Sequence, residues 1–469
     1  MAQAVLDLKI QADGCQSVSI DATATSPGAD NQSTALSIAS GMLKRACIVG
    51  AGHSANTAAG LVAALPNWRC NMFAPRKERA AEIRAGVARG GIQLFYGPDD
   101  GNKIIRGVPD VVSKDPAEAV ADCDVLLMCL PAEAYDDHMR AIAPFVKQDA
   151  WIGTACSSAS VDWCVDEAMQ AVGRSQDSYN VFALQNLPWA CRAETLGLKC
   201  DVGGAKPFME LTARPFHRAP EISAMMGEMI HIPCRVTEGG FLGFGLSNVC
   251  QVIHIAILRE HFKDWDGVTP YKEVPRFYRD LSVKAADDMA AVSEELITVA
   301  RTIEARYPGL DLSVVRHIDD WIERAYGIYI RDYSTLQKKF STNRAYEQLL
   351  TAMVEVEGGY LPQLQHRYLT EDIPYNLVGS RGVAQLAGVE TPVIDGLIEW
   401  AQGLLGKEYL VDGKVAGKDL GMTFAPQRFG FNSLEDIPEL RMLGERKAPA
   451  VADLASQADA GRVERATAA

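Results

Sequence analysis

The sequence predicts an α/β domain built on a parallel sheet, followed by an all-α helical domain. A short apolar run at 46–49 leads through a glycine turn into a helical pattern at 55–65, which is typical of a strand–turn–helix unit. Strand-like and helical segments then alternate, whereas long amphipathic helices dominate after the glycine-rich stretch at 239–245. The chain of 469 residues is also long enough for two large domains.

The glycine turn has the sequence GAGHSA, residues 50–55. In such a turn Gly50 permits the tight bend, Gly52 lets the backbone approach a pyrophosphate, and Ala55 lets helix and strand pack closely. Free N–H groups at the helix start would bind the anion, so His53 and Ser54 join the predicted dinucleotide site. The alternative is a glycine-bearing turn between two core elements. We predict a Rossmann-type nucleotide-binding domain.

The end of the second predicted strand, residues 69–74, indicates which dinucleotide binds. An NAD-preferring site usually has Asp or Glu there, which bonds the ribose hydroxyls. Here Arg76 and Arg79 follow instead, and guanidinium groups suit a 2′-phosphate. A solvated first helical turn would carry the same cations, and Glu78 argues against the assignment. The sequence therefore favours NADP(H), with NAD(H) as the alternative.

Later strands of the predicted sheet end at the same crevice. The apolar run at 123–131 ends in proline and fits a parallel strand buried on both faces. Ligands bind outside the carboxyl ends of such strands, so Leu130 and Pro131 are predicted to border the nicotinamide. After the next strand, residues 156–158 either line this crevice, with Cys156 as a substrate contact, or cap the helix that follows.

The remaining segments complete the predicted architecture. Short strands are expected at 90–97 and 107–112 as a hairpin-like excursion, and at 181–192 and 199–214 to finish the sheet. Helices are expected at 246–262, 277–306, 343–355 and 386–405. The predicted domains are 44–238 and 239–447, flanked by a leader at 1–43 and a tail at 448–469 whose composition is typical of weakly packing segments.

Charge and cysteine usage exclude several classes of function. The formal net charge of −14 argues against a nucleic-acid partner. No run approaches about eighteen apolar residues, so no membrane span is predicted. The eleven cysteines are scattered without a C-x-x-C pair, and the spacing predicts neither a disulfide framework nor a metal site. The first residues lack a signal-peptide pattern, which favours the cytoplasm. Small molecules are the expected partners, and a homodimer is left open.

Two segments carry candidate catalytic groups. His254 lies on the helix predicted at 246–262 together with the polar Asn248, although a lone histidine on an apolar helix is more often a core residue. The loop at 365–375 concentrates Arg367, Asp372 and further polar groups, and such loops often carry function. A capping cluster is the alternative there.

These segments are also where the chain resembles the opine dehydrogenases, the group of octopine, nopaline and N-(1-carboxyethyl)-amino-acid dehydrogenases. The resemblance covers residues 45 to about 437 and rests on GAGHSANTAAG, LPWACR at 187–192, SNVCQVIH at 247–254, RYLTEDIPYNL at 367–377 and GVETPVID at 388–395. It implies a helical domain like the C-terminal domain of 6-phosphogluconate dehydrogenase. Ile255 is a departure, because family members often have proline after the histidine.

In this family a histidine paired with a distant aspartate relays protons, and an arginine ahead of the aspartate holds the keto-acid carboxylate. The matching positions are His254, Asp372 and Arg367; Asn248 and Cys156 are further substrate-binding candidates. The resemblance implies NAD(P)H-dependent reductive condensation of a 2-oxo acid, here pyruvate, with an amino acid, without a metal. The alternatives are a reductase of 2-oxo acids or hydroxy acids and a catalytically silent NADP(H)-sensing protein.

Overall fold

The fold is taken from a computed structural model and is described for residues 43–97, 101–157, 160–203 and 205–446. The predicted leader, except residue 43, and the predicted tail lie outside these ranges, as does Ser158. Strands of the first part end at Val236 and helices of the second part begin at Gly240. The described residues belong to one compact unit, so the domain division near 238 stays a prediction.

The first part of the chain is built on an eight-stranded sheet. The strands of this part are β1 (Lys44–Val49), β2 (Trp68–Phe73), β3 (Ile92–Tyr96), β4 (Ile104–Gly107), β5 (Val111–Ser113), β6 (Val125–Met128), β7 (Trp151–Thr154), β8 (Asn180–Leu184), β9 (Ala190–Thr195), β10 (Lys199–Gly203), β11 (Met209–Arg214) and β12 (Cys234–Val236). The sheet order is β12-β11-β8-β7-β6-β1-β2-β5, and only the β8–β11 pair is antiparallel.

The strand order places a crevice at the carboxyl ends of β1 and β6. From β1 the chain adds β2 and β5 on one side and then crosses over to β6, β7 and β8 on the other. In open parallel sheets ligands bind at this reversal. The central strand β6 is fully buried because its four residues are all apolar and helices cover both faces. The prediction of a buried strand ending at this crevice is confirmed.

A second, four-stranded sheet has the order β4-β3-β10-β9. The predicted hairpin appears as the antiparallel β3–β4 pair, whereas residues 111–113 join the main sheet as β5. The prediction that segments 181–192 and 199–214 all finish the main sheet is wrong for β9 and β10. These strands leave it because Cys200 and Val202 are buried in the second sheet, where β10 pairs with β3.

Helices cover the faces of these sheets. They are α1 (His53–Val62), α2 (Lys77–Ala88), α3 (Pro116–Val120), α4 (Tyr135–Ile142), α5 (Val161–Ala171) and α6 (Ala219–Ile230). Helix α1 follows the glycine turn directly and is buried from Ala55 onwards. The strand–turn–helix unit of the first domain therefore has the predicted form, and the Rossmann-type fold is confirmed.

The second part of the chain is predominantly helical, as predicted. Its helices are α7 (Gly240–Leu246), α8 (Val249–Phe262), α9 (Val283–Arg306), α10 (Ile318–Tyr326), α11 (Leu336–Ser341), α12 (Arg367–Thr370), α13 (Val378–Ala387), α14 (Pro392–Leu405) and α15 (Pro438–Arg446). Two hairpins interrupt them, β13 (Met353–Val356) with β14 (Gly359–Pro362) and β15 (Leu410–Val411) with β16 (Lys414–Val415). The domain is thus not strictly all-α.

The helix predicted at 343–355 does not form. A short 3₁₀ turn occupies Arg344–Tyr346, and the chain then runs extended into β13. Residues 349–351 bond to the backbone at 275–277 instead, since Leu349 O accepts from Phe277 N and Thr351 N donates to Pro275 O. Tertiary pairing therefore overrides the helical spacing of the apolar residues.

Three other predicted helices are shorter than expected because of their caps. Asn248 caps α8 and Ser282 caps α9, each by accepting a bond from a backbone N–H, so these helices begin at 249 and 283. Gly388, with a φ of 72°, ends α13, and Pro392 opens α14, which divides the helix predicted at 386–405.

The stretch Gly240–Phe262 is long and apolar enough to cross a membrane by length and composition alone. In the structure it is the α7–α8 pair, and 78% of its most apolar window is buried inside the protein. Most of its apolar residues belong to the hydrophobic core shared with α9, α13 and α14, whereas Phe241 and Phe244 pack in a core cluster with residues of β1 and β6. Core packing therefore accounts for its composition.

Candidate active site

The glycine turn lies at the crevice, between the end of β1 and the start of α1. Gly50 has a φ of 137°, and a Cβ at this position would lie 2.6 Å from the Cys129 carbonyl oxygen, so glycine is required. A Cβ at Gly52 would meet no heavy atom of the described residues within 4 Å. The first N–H groups of α1 have no partners within the helix and give this open space a positive potential.

A pocket of about 490 Å³ begins at this turn. Its lining includes Gly52, His53, Arg76, Arg79, Leu130 and Pro131. The predicted Ser54 and Ala55 are not part of the lining, and Ala55 is fully buried against the sheet. Glu82, which does line the pocket, pairs with Arg79 at 2.9 Å, whereas Glu78 does not reach it. The volume and the cations fit a dinucleotide.

His53 connects the turn to the second sheet. Its Nδ1 accepts a hydrogen bond of 3.0 Å from the backbone N–H of Ala193 in β9. This bond requires an unprotonated Nδ1, so a neutral ring carries its proton on Nε2. Burial lowers the pKa of His53, and the charges of Arg192 and Arg79 lower it further. His53 therefore offers the pocket a neutral N–H donor.

The predicted histidine and aspartate form a buried pair. His254 Nδ1 lies 2.7 Å from Asp372 Oδ2, and the two side chains are only 10% and 8% exposed. A carboxylate at Nδ1 fixes the proton there, which leaves the Nε2 lone pair free to exchange a proton. Asn376 Nδ2 donates to the other carboxylate oxygen at 3.3 Å. The structure thus brings together two residues that are 118 positions apart.

The local backbone explains where Asp372 points. It opens a π-helical turn, Asp372–Leu377, directly after the short helix α12. Pro374 has no N–H and cannot make the α-helical bond to Thr370, so the helix widens at this point. Tyr368, on α12, stacks on the His254 ring with centroids 3.7 Å apart. The imidazole is therefore held from its edge and its face.

Arg367 lies on the same short helix but is arranged differently. Its side chain is 65% exposed, and its Nη2 lies 2.7 Å from Glu371 Oε2. Glu371 is 7% exposed and also accepts a bond of 3.2 Å from the backbone N–H of Ala132, beside Pro131. Burial raises the pKa of Glu371, and Arg367 opposes this shift. Glu371 therefore joins the arginine to the loop that borders the cofactor pocket.

Of the two interpretations of residues 156–158, the structure bears on the capping of α5 by Cys156, whereas Ser158 lies outside the described residues. Helix α5 is preceded by Ser160, which makes no side-chain cap bond, so Cys156 does not cap it. Cys156 is exposed at the end of β7. Although the residue is exposed, the cleft around it partly desolvates its thiol and so raises the pKa; Glu371 raises this pKa further, whereas Arg367 lowers it. The Cys156 thiol is therefore close enough to Arg367 and Glu371 to be affected by the charges of both side chains.

Asn248 has a structural role that accounts for its side chain. Its Oδ1 accepts from Cys250 N at 2.9 Å and caps α8. Its Nδ2 donates to Asn376 Oδ1 at 3.1 Å and reaches Ser157 O at 3.5 Å. These bonds hold the start of the histidine helix against the π-helical turn. A substrate contact by Asn248 stays a prediction.

Sequence reasoning did not assign roles to Glu371, Tyr368 and Cys250. The first two lie inside the predicted segment 365–375, where spacing could not show which group faces the histidine. Cys250 precedes His254 by one helical turn, and the three groups Cys250, His254 and Asp372 offer donor atoms within 4.8 Å of one another. The i, i+4 spacing on a predicted helix was the available signal.

A family model agrees with this arrangement. Residues 237–405 match the model described as "NAD/NADP octopine/nopaline dehydrogenase, alpha-helical domain". This region contains the histidine helix, Arg367 and Asp372.

Whole-chain comparisons extend the similarity to the first domain. The chain is 33% identical to octopine dehydrogenase of Pecten maximus, over 84% of this chain and 99% of that protein. It is 32% identical to tauropine dehydrogenase of Arabella iricolor, over 83% and 98%. A solved structure of octopine dehydrogenase with NADH and pyruvate superposes with a TM-score of 0.75 at 31% identity, covering 84% of this chain and 97% of that one.

Proposed function

The chain belongs to the octopine/nopaline dehydrogenase family and is an NAD(P)-dependent oxidoreductase acting on CH–NH donors, and on that premise we propose its substrates, its cofactor preference and the roles of its site residues. The reaction that we propose joins pyruvate to the amino group of an amino acid and reduces the resulting imine to a secondary amine dicarboxylate. The observation that carries this proposal is the buried His254–Asp372 pair next to a solvent-facing arginine.

His254 handles the protons of the condensation. Its Nε2 accepts a proton from the ammonium group of the amino acid, and the amine then attacks the keto carbon. The imidazolium returns this proton to the hydroxyl of the adduct, which leaves as water and gives the iminium. Asp372 stabilises the imidazolium and keeps the ring in one tautomer throughout. The histidine thus ends the condensation in its starting state.

Arg367 holds the carboxylate of the keto acid. Its guanidinium can form two parallel hydrogen bonds to a carboxylate, which fixes the face of the keto carbon. Within the protein Glu371 is its carboxylate partner. The incoming keto acid therefore competes with Glu371 for the arginine. Glu371 also accepts a hydrogen bond from the backbone N–H of Ala132. Exchange of its arginine partner therefore affects the loop beside the proposed cofactor pocket.

The cofactor supplies the hydride that reduces the imine carbon. We assign its pyrophosphate to the glycine turn, where the open side of Gly52, the start of α1 and the N–H donor of His53 converge. Leu130 and Pro131 border the nicotinamide end. Arg76 and Arg79 carry the 2′-phosphate, since both line the pocket and the end of β2 has no carboxylate to bond the ribose. We therefore favour NADP(H) over NAD(H).

Cys156 and Asn248 complete the proposed substrate site. Cys156 is exposed near Arg367 and Glu371, and Asn248 positions the histidine helix next to it.

The ten cysteines among the described residues are all free thiols, which supports a cytoplasmic location.

Oxidation of NADPH and NADH in the presence of pyruvate and a panel of amino acids tests this function. We expect oxidation only when both substrates are present, and the secondary amine dicarboxylate as the product by mass spectrometry. Oxidation with pyruvate alone would make the protein a simple keto-acid reductase. Tight cofactor binding without turnover for any pair would favour a sensing protein.

A further inference from the structure

A cysteine, a histidine and a carboxylate meet at the catalytic dyad. Cys250 and His254 lie one turn apart on α8, and Asp372 faces them from the π-helical turn. A donor atom of each residue lies within 4.8 Å of the other two. The histidine and aspartate are buried, whereas Cys250 is partly exposed. Of these three residues Cys250 is the one that reaches solvent, while its thiol lies in the protein interior beside Asp372.

We propose that Cys250, His254 and Asp372 form a binding site for a zinc-like divalent cation, and that occupancy of this site inhibits the enzyme reversibly. Cysteine sulfur, histidine nitrogen and aspartate oxygen are each zinc ligands, and three protein ligands leave the fourth tetrahedral position open. Soft thiolate selects zinc, cobalt(II) and cadmium over magnesium and calcium.

The geometry requires only a small adjustment. Zinc bonds of about 2.0–2.3 Å place tetrahedral donor atoms roughly 3.3–3.8 Å apart. The outermost donors, at most 4.8 Å apart, must therefore close by about 1 Å or less. His254 Nδ1 and Asp372 Oδ2, which are 2.7 Å apart, must open by about 0.6 Å to admit the metal between them. Side-chain rotation of Cys250 and Asp372 can supply both movements. The histidine is already fixed by the Tyr368 stack and by α8. Two of the three donors thus come from one rigid helix.

The local charges favour a divalent cation with these ligands. With a thiolate, a carboxylate and a neutral imidazole the bound site has no net charge, which suits a buried position. The nearest cationic residue of the loop, Arg367, is paired with Glu371 at 2.7 Å. Binding releases the thiol proton to solvent. The metal takes the place of the proton on His254 Nδ1, and that proton moves to Nε2, so the ring stays neutral and its Nε2 lone pair is no longer free. The dyad then cannot exchange protons, which is why occupancy inhibits.

Cobalt(II) titration of the chelator-treated, untagged protein tests the site directly. We expect one equivalent to give thiolate-to-cobalt charge-transfer absorption and the intense visible bands of a four-coordinate ion. Cys250→Ser should lose the charge-transfer absorption and bind at least tenfold more weakly, and Asp372→Asn should weaken binding. Cys156→Ser is the matched control, because this thiol lies in the same cleft but outside the group; it should bind as the wild type does.

Zinc titration of turnover tests the consequence. Zinc should inhibit the wild-type enzyme, excess EDTA should restore its rate, and Cys250→Ser should need at least tenfold more zinc, each variant being compared with its own zinc-free rate. Equal inhibition of wild type and Cys250→Ser would overturn the proposal, as would a cobalt–thiolate band that survives in Cys250→Ser and disappears in Cys156→Ser. The cobalt spectra do not depend on turnover, so they stand even if the proposed condensation fails.

Discussion

Two pairs of ionisable side chains involve the segment 366–377, and they differ in how accessible they are to solvent. The His254–Asp372 pair is buried on both sides, and its imidazole is held by a stacked tyrosine and a core helix. The Arg367–Glu371 pair has a buried carboxylate but a guanidinium that is 65% exposed. The proton-handling part of the site is therefore preassembled by the contacts of the fold, whereas the anion-handling part is accessible to solvent.

This difference follows from what each part binds. A proton relay needs one fixed geometry in a dry environment, where its charges act strongly. A guanidinium that receives a carboxylate must be reachable and must exchange its partner. Arg76 and Arg79 at the proposed cofactor pocket are likewise accessible to an anionic ligand, since both are exposed. The predictions below test the preassembled part first and then the accessible part.

Removing the imidazole should have the largest effect. His254→Ala is expected to lower kcat about 10³-fold, because general acid–base catalysis contributes about 10²–10⁴-fold, with little change in the dissociation constant of the cofactor. Steady-state kinetics and cofactor fluorescence titration measure both quantities. His261→Ala, two turns further along α8, is the control and should keep its kcat. A His254→Ala enzyme within threefold of wild type would remove the dyad from the mechanism.

Asp372→Asn tests whether the carboxylate does more than pack. An amide at this position no longer stabilises the imidazolium and can select the other tautomer. We expect kcat to fall about 10²-fold while the KM for pyruvate stays within threefold, and the melting temperature reports whether the fold is kept. If KM rises instead and kcat is unchanged, Asp372 belongs with the substrate contacts and the distinction between the two pairs fails.

Arg367→Met should change affinity rather than chemistry. Loss of a charge-assisted contact of about 1.5–3 kcal/mol predicts an increase of about 10- to 10²-fold in the KM for pyruvate, with a smaller change in the KM for the amino acid. Arg367→Lys should have a KM for pyruvate between those of the wild type and Arg367→Met, because lysine keeps the positive charge but cannot form two parallel hydrogen bonds to a carboxylate. Initial rates with each substrate varied in turn make this separation. An equal rise in both KM values would argue against a specific carboxylate contact.

Residues of both the preassembled and the accessible part were named from the sequence, but other features of the fold were not. The motifs identified His254, Asp372 and Arg367, and the pairing of the first two follows the prediction. The strand–glycine–helix order located the cofactor pocket because its signal is local. The second sheet was missed, since alternating residues in β9 and β10 show that a strand forms and not which sheet it joins.

Other features depend on contacts that no local pattern contains. The segment 343–355 has helical spacing, yet its backbone pairs with residues 275–277 and runs on into a hairpin. Glu371 is one acid among several in its segment, and its bond to Ala132 joins residues 239 positions apart. The contacts that make such a residue a candidate for function form only in the folded protein, so sequence spacing alone could not identify it.

Cofactor selection tests the accessible cations of the first domain. Arg76→Ala with Arg79→Ala should lower the ratio of kcat/KM for NADPH to that for NADH about 10- to 100-fold, because each exposed contact to phosphate contributes up to about 1.4 kcal/mol. Arg79 alone should contribute less, because Glu82 already engages it. Arg89→Ala, at the other end of α2, is the matched control. A wild-type preference for NADH would contradict the assignment of both arginines.

The smallest expected effect concerns a buried charge with no proposed catalytic role. Asp162 on α5 is 2% exposed and lies 3.5 Å from Arg214, and among the described residues its Oδ1 has no hydrogen-bond partner. Burial raises its pKa to about 8, with Asp166 and Glu439 adding to the shift and Arg214 opposing it. The unfolded carboxyl titrates near pH 3.9, so between about pH 4 and pH 8 the folded protein binds more protons and its stability falls as pH rises.

Asp162→Asn should remove this loss of stability, because an amide does not ionise. We expect a gain on the order of 1–3 kcal/mol in the free energy of unfolding at pH 9 and little gain at pH 5, measured by urea denaturation. Asp166→Asn, one turn later, is the control and should destabilise at both values, since Asp166 bonds to Arg214, Tyr179 and Gln176. If Asp162→Asn destabilises at pH 9, its ion pair with Arg214 outweighs the burial of the charge. A buried ion pair would then stabilise this fold even outside the active site. The burial of the His254–Asp372 pair would in that case not by itself indicate a catalytic role.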